Sequence, residues 1–189
     1  MTADLSLLNP AFKNSVEKLI QNCLAREVYM HPIEGLRTLE KQAMYWRQSR
    51  TIKEINSKIS ELETKQAHFL ASIISNIGPQ YGSYVTNAIP GLSWHQWGKA
   101  VNCIWIAGGK AVWDIDFKIN GVNGYLVYAE EAKKLGLNAG AYWQTFKNFA
   151  HVQSEMEDNL LEVYTLTEIN NEMEKLFKGN LKKSLYSIL

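Results

Sequence analysis

Ser93-Trp94-His95-Gln96-Trp97-Gly98-Lys99-Ala100-Val101-Asn102 is the stretch that decides how this chain is read. His95 lies seven residues before Asn102, with Gly98 between them and an apolar β-like run beginning at Val101. That spacing lets a loop side chain and a strand side chain converge on one point, and a strand gives the rigidity that a metal ligand or an orienting group needs. A second histidine follows much later, in Asn148-Phe149-Ala150-His151. Two histidines and one oxygen donor make a three-ligand catalytic zinc site with water in the fourth position. A histidine near an aromatic loop also serves as an ordinary packed or surface residue, and spacing alone leaves both readings open.

The chain has 189 residues, enough for one domain with a real core and too few for two comfortable ones. Its apolar fraction is 46% and its charged fraction 21%, ordinary for a globular protein. A formal net charge of +1 gives no electrostatic case for nucleic acid or an anionic membrane surface. No apolar run approaches the roughly 18 residues of a membrane span. No segment combines a basic start, an apolar run and a small-residue cleavage site, so the expectation is synthesis in the cytoplasm without a signal peptide. Cys23 falls on a helical apolar stripe and Cys103 in a buried strand, which predicts packed free thiols rather than a disulfide.

Phe12, Val16, Leu19, Ile20, Cys23 and Leu24 recur at helical spacing and predict a first helix over 11–26. Residues 27–34 read as a short edge strand interrupted by Pro32. Thr38 is a candidate N-cap for a helix to Ser49. One long helix is expected over 52–77, with Ile52, Ile55, Ile59, Leu62 and Ile73 among its apolar positions, ended by Gly78-Pro79. A loop follows over 78–92. Runs 101–107 and 110–118, joined by Gly108-Gly109, predict a β-hairpin. A helix over 125–135 stops at Gly136, an aromatic loop leads to a strand at His151, and a last helix runs from 167 to 178. The expectation is an α+β fold: a single domain over 1–189, a small antiparallel sheet carrying the site, flanking helices, and a disordered tail over 179–189.

Ser93-x-His95-x-x-Gly98-x-Ala100-x-Asn102 resembles the Ser-x-His-x-x-Gly-x-Ala-x-Asp motif of zinc D-alanyl-D-alanine carboxypeptidases and phage L-alanyl-D-glutamate endolysins, peptidoglycan peptidases of the VanY type. Glu34-Gly35-Leu36-Arg37-Thr38, the helix from Gln42 to Arg50, Val85-Thr86-Asn87-Ala88, and Trp143, Phe146 and Asn148-x-x-His151 resemble further segments in the same order, covering about 28–153. The resemblance implies zinc held by His95, His151 and position 102, a general base at position 148, a substrate contact from Arg37, and a hydrogen bond near the scissile bond from Ser93. The substrate it implies is the peptidoglycan stem peptide, reached after lysis or non-classical export.

Both acidic positions of that pattern carry asparagine here. Asn102 still offers an oxygen, but without charge the site loses a large Coulombic contribution to metal binding. Asn148 has no useful pKa for moving a proton, and loss of a general base costs about 10²–10⁴-fold in rate. The expected function is therefore a metallopeptidase scaffold severely impaired or inactive as written. The alternative is a natural pseudoenzyme that binds wall peptides or a protein partner through the same cleft. Three explanations of the asparagines stand open: a natural pseudoenzyme, a deliberately inactivated variant, or compensation by Asp114, Asp116, Glu155 or Glu157.

Overall fold

A computed structural model of the chain describes residues 2–157 and 159–186, with side chains through 178. In chain order its elements are α1 (Pro10–Leu24), β1 (Tyr29–Glu34), α2 (Leu39–Arg47), α3 (Ile52–Thr64), α4 (His68–Asn76), β2 (Ala100–Ala107), β3 (Lys110–Val112), α5 (Gly124–Lys134), β4 (Asn138–Ala139), β5 (His151–Gln153) and α6 (Leu166–Tyr186). Short 3-10 turns occur at Leu5–Leu7, Trp94–Trp97, Gly140–Tyr142 and Leu160–Glu162. This is the α+β class that the pattern predicts. The chain forms two compact units: residues 1–37 with 97–156, and 38–96 with 157–189.

In the first unit, α1 starts where Asn9 accepts hydrogen bonds from the amides of Ala11 and Phe12 at 3.1 and 3.3 Å, with Pro10 in the first turn. Phe12, Val16, Leu19 and Cys23 then fall on one stripe and are buried. They pack with Met30, Val101, Cys103, Trp105, Tyr128 and Val152 in one core. The sheet runs β1-β2-β5-β4, with β3 also paired to β2, and its named pairs are antiparallel. Alternation along β2 sends Val101, Cys103 and Trp105 into that core. Asn102, Ile104 and Ile106 consequently face the other way.

The predicted hairpin forms around Gly108 and Gly109, both at positive φ (55° and 75°), but its second strand is shorter than expected. Only Lys110–Val112 pairs, against an expectation of 110–118. Beyond it the chain turns, with the Asp116 amide donating to Asp114 at 2.9 Å.

The second unit corrects the single helix expected over 52–77. That segment is two helices, α3 and α4, broken at Lys65–Ala67. Gln66 takes a left-handed φ of 58°, and the Ala67 amide reaches back to the Leu62 carbonyl at 2.8 Å. The break lets Leu62 from α3 and Leu70, Ala71 and Ile74 from α4 all be buried. The first turn of α4 has no local side-chain cap. Instead Asn170 of α6, 4% exposed, accepts the amides of Phe69 and Leu70 at 2.9 and 3.2 Å. The last helix, expected to end at 178, runs on to Tyr186, so the backbone over 179–186 is helical where a disordered tail was expected, and 187–189 lie outside the described residues.

Cys23 and Cys103 are free and buried, as their positions predict. Burial pushes both thiols up to about 12. Both should therefore resist alkylation at neutral pH in the native protein and react only on unfolding, as mass spectrometry after a timed iodoacetamide pulse would show. Asn170→Leu removes the acceptor for one buried and one half-buried amide and should destabilise the protein by about 1–3 kcal/mol in urea unfolding.

Candidate functional site

Register builds the site of the first unit. Asn102 on β2 pairs with His151 on β5 and, after a β-bulge between Pro32 and Glu34, with Glu34 at the end of β1. Three polar side chains from sequence positions far apart are thereby set on one sheet face. The Asn102 amide donates through Nδ2 to Glu34 Oε2 at 3.3 Å, and its Oδ1 lies 3.1 Å from His151 Nδ1. Glu34 in turn forms an ion pair with Arg37. On the far side of the ring, His151 Nε2 meets Gln153 Oε1 at 3.0 Å, while Gln153 Nε2 donates to the Glu155 carbonyl at 2.9 Å. Trp143 tilts against the His151 ring, centroids 4.9 Å apart.

His151 is 7% exposed, and burial, ahead of the Arg37 charge, lowers its pKa to about 4. The ring is therefore neutral at physiological pH and carries one N–H. Gln153 presents an oxygen because its Nε2 donates to Glu155, and Asn102 presents one because its Nδ2 donates to Glu34, so the single ring N–H serves one of these two acceptors. Two ligands of a zinc ion at about 2.0–2.1 Å each stand about 3.3 Å apart in a tetrahedron. The edge between His151 and Asn102 thus has the dimension of a ligand pair.

It lacks the charge. Among the described residues no group of three or more His, Cys, Asp or Glu is placed to hold a metal. A histidine and a neutral amide, with the neighbouring carboxylate already committed to Arg37, do not fit a catalytic zinc centre. The carboxylates weighed as compensation lie elsewhere. Asp114 and Asp116 are in an exposed turn, Glu155 is bound by Lys99 at 2.8 Å, and Glu157 uses its carbonyl to accept the Trp94 indole in the second unit. The carboxylate beside Asn102 is Glu34.

Asn148 precedes the site strand. Its amide donates to the Gly140 carbonyl at 3.0 Å, and its carbonyl accepts the His151 amide at 3.1 Å. Gly140 is required there because a Cβ would stand 2.4 Å from the Asn148 oxygen.

Ser93 and His95 belong to the second unit. The turn at Trp94–Trp97 holds His95 at 2% exposure. It is fixed by buried amides: Gln96 Oε1 accepts the Ser93 amide at 3.1 Å, and Gln96 Nε2 donates to Gln42 Oε1 at 3.1 Å. Gln42 Nε2 donates to the Ala88 carbonyl at 2.7 Å. Sequence reasoning missed the parts played by Glu34, Gln42, Gln96 and Gln153. Glu34 becomes visible once β1 is laid beside β2, and the amides become visible only by their burial.

The antiparallel sheet thus gathers a histidine, its amide neighbours and an arginine-bound carboxylate on one face. The chain belongs to the D-alanyl-D-alanine carboxypeptidase (VanY) family of peptidoglycan peptidases, whose family model matches residues 5–142. The segment holding Asn148 and His151 lies beyond the matched residues. The chain is also similar to the peptidoglycan L-alanyl-D-glutamate endopeptidase CwlK of Bacillus subtilis (strain 168), 25% identical over 149 residues, or 77% of this chain and 72% of that one. Among solved structures, the Serratia marcescens L-Ala D-Glu endopeptidase ChiX is similar at 17% identity, covering 79% of this chain and 81% of its own, with a TM-score of 0.42. Among the described residues no helix is long and apolar enough to cross a membrane.

Gly140→Ala should displace the 148–151 turn and cost about 1–3 kcal/mol, the usual cost of overpacking. Thermal unfolding measures the cost, and the NMR resonances of the His151 ring report the displacement.

Proposed function

We propose that this chain is a peptidoglycan stem-peptide peptidase whose own hydrolytic activity is severely impaired, with Asn102 at a zinc-ligand position and Asn148 at the general-base position. His95 and His151 are the remaining ligands in this reading, Arg37 and Ser93 its substrate contacts. The observation that supports it is the continuous chain Arg37–Glu34–Asn102–His151–Gln153, in which a neutral amide occupies the place where hydrolysis needs an anion. Zinc, when bound in active relatives of this type, polarises the carbonyl and lowers the pKa of bound water. No step of that kind is assigned to this chain. What its residues do is bury His151 so that it is neutral, hold its ring between Asn102 and Gln153, and keep Arg37 near the site.

The same chain of partners favours a second reading, a pseudoenzyme that binds wall peptides or a protein partner. Each residue from Arg37 to Gln153 has a polar neighbour in the chain, an arrangement that suits binding as well as hydrolysis.

Restoring the acids separates the two. Asn102→Asp places a carboxylate beside Glu34, a like-charge pair that should lower the unfolding temperature of the metal-free protein. Added zinc should restore it, and zinc should become stoichiometric by elemental analysis. Asn102→Asp with Asn148→Asp should release new amines from purified peptidoglycan at about 10² times the starting rate or more. A double variant that binds zinc yet stays silent would remove the peptidase reading and leave the binder.

A further inference from the structure

Asn102 and His151 share their sheet face with a shelf that the peptidase chemistry does not use. His31, Ile33, Ile104, Ile106, Ala111 and Trp113 line a cavity of about 330 Å³. Its origin is again register: His31 pairs with Ile104, and Ile106 with Ala111, while Trp113, just past the end of β3, completes the lining. Trp113 is 75% exposed, whereas Trp105, on the opposite face, is buried in the core. Thr2 Oγ1 lies 3.2 Å from His31 Nε2 and gives the shelf a polar edge.

The size of the cavity falls at the low end for a small-molecule site and is too small for a helix or a protein surface. A flat indole left in water beside isoleucines suits a ring with apolar faces and a polar rim. A pyranose has that form: its C–H faces stack on the aromatic face while its hydroxyls stay hydrated. Position then selects which sugar. Ile104 and Ile106 lie two and four residues beyond Asn102 on β2, about 7 and 14 Å at a rise of about 3.4 Å per residue. In peptidoglycan the stem peptide hangs from muramic acid through a lactyl group. One residue and that lactyl separate the L-Ala–D-Glu bond from the sugar, about 7 Å at about 3.6 Å per extended unit. Four residues and the lactyl separate the D-Ala–D-Ala bond from it, up to about 18 Å, so that sugar meets the shelf only if the stem folds back on itself, whereas the shorter tether meets it extended.

We propose that the Trp113 shelf binds the muramic acid sugar of a muropeptide, so that the site is set on the L-alanyl-D-glutamate bond. The inference rests on the wall-peptide reading above, and it concerns binding, so it holds whether or not the site hydrolyses.

Calorimetric titration of the full chain with N-acetylmuramyl-L-alanyl-γ-D-glutamyl-lysine and with the same tripeptide lacking the sugar tests it. The muramyl probe should bind about tenfold tighter. Trp113→Ala should erase that difference, leave tripeptide affinity unchanged and, at so exposed a position, leave the circular dichroism unchanged. Trp113→Tyr should keep part of the gain. Equal affinities for the two probes, or a gain that survives Trp113→Ala, overturns the shelf while the wall-peptide reading stands. If neither probe binds, that reading fails and the shelf fails with it.

Discussion

One pairing constraint organises the site-bearing unit: β2 lies between β1 and β5, with Asn102 opposite Glu34 on one side and His151 on the other. Strand alternation does the rest. The odd-numbered positions of β2 enter the core, so the even-numbered ones share a face with His151 and Gln153. A slip of one residue would bury Asn102 among Met30 and Tyr128 and turn Cys103 outward, a cost that no surface contact could offset. The apolar half of the sheet therefore fixes the polar half. The bulge before Glu34 is part of this arrangement, because it re-aims the end of β1 so that a carboxylate lands beside the amide.

The consequence for chemistry is electrostatic. Arg37 satisfies Glu34, Glu34 accepts from Asn102, and the ring of His151, kept neutral by burial, lies between two amide oxygens. In the reading proposed here, that chain keeps the shape of a hydrolytic centre while its charge is already balanced internally. Exchanging the amide for an acid would add an anion next to Glu34 and create the demand for a cation that the present side chains do not make.

Much of the fold is legible because apolar stripes report burial directly. Phe12, Val16, Leu19 and Cys23 define α1, Gly136 closes α5, and Gly108-Gly109 turns the hairpin, all by local rules. The motif around His95 likewise marks the chain as a family member before any coordinates. What stayed hidden depends on distant partners. No glycine or proline announces the break at Lys65–Ala67, because each of the two helices buries its own face and the summed pattern still looks continuous. The length of β3 was overestimated because Trp113, Ile115 and Phe117 read as strand residues, although they lie beyond the paired segment. Glu34 was visible as a letter in a motif; its place beside Asn102 follows only from pairing at a separation of 68 positions.

The cap that Asn170 lends to α4 has a bearing on how this chain is made. The second unit is discontinuous in sequence, and the first turn of α4 waits for a side chain about a hundred positions later. During synthesis the ribosome delivers the whole β-sheet before that partner exists, so the helical unit matures last. Until α6 is made, the first turn of α4 lacks the acceptor for the amides of Phe69 and Leu70.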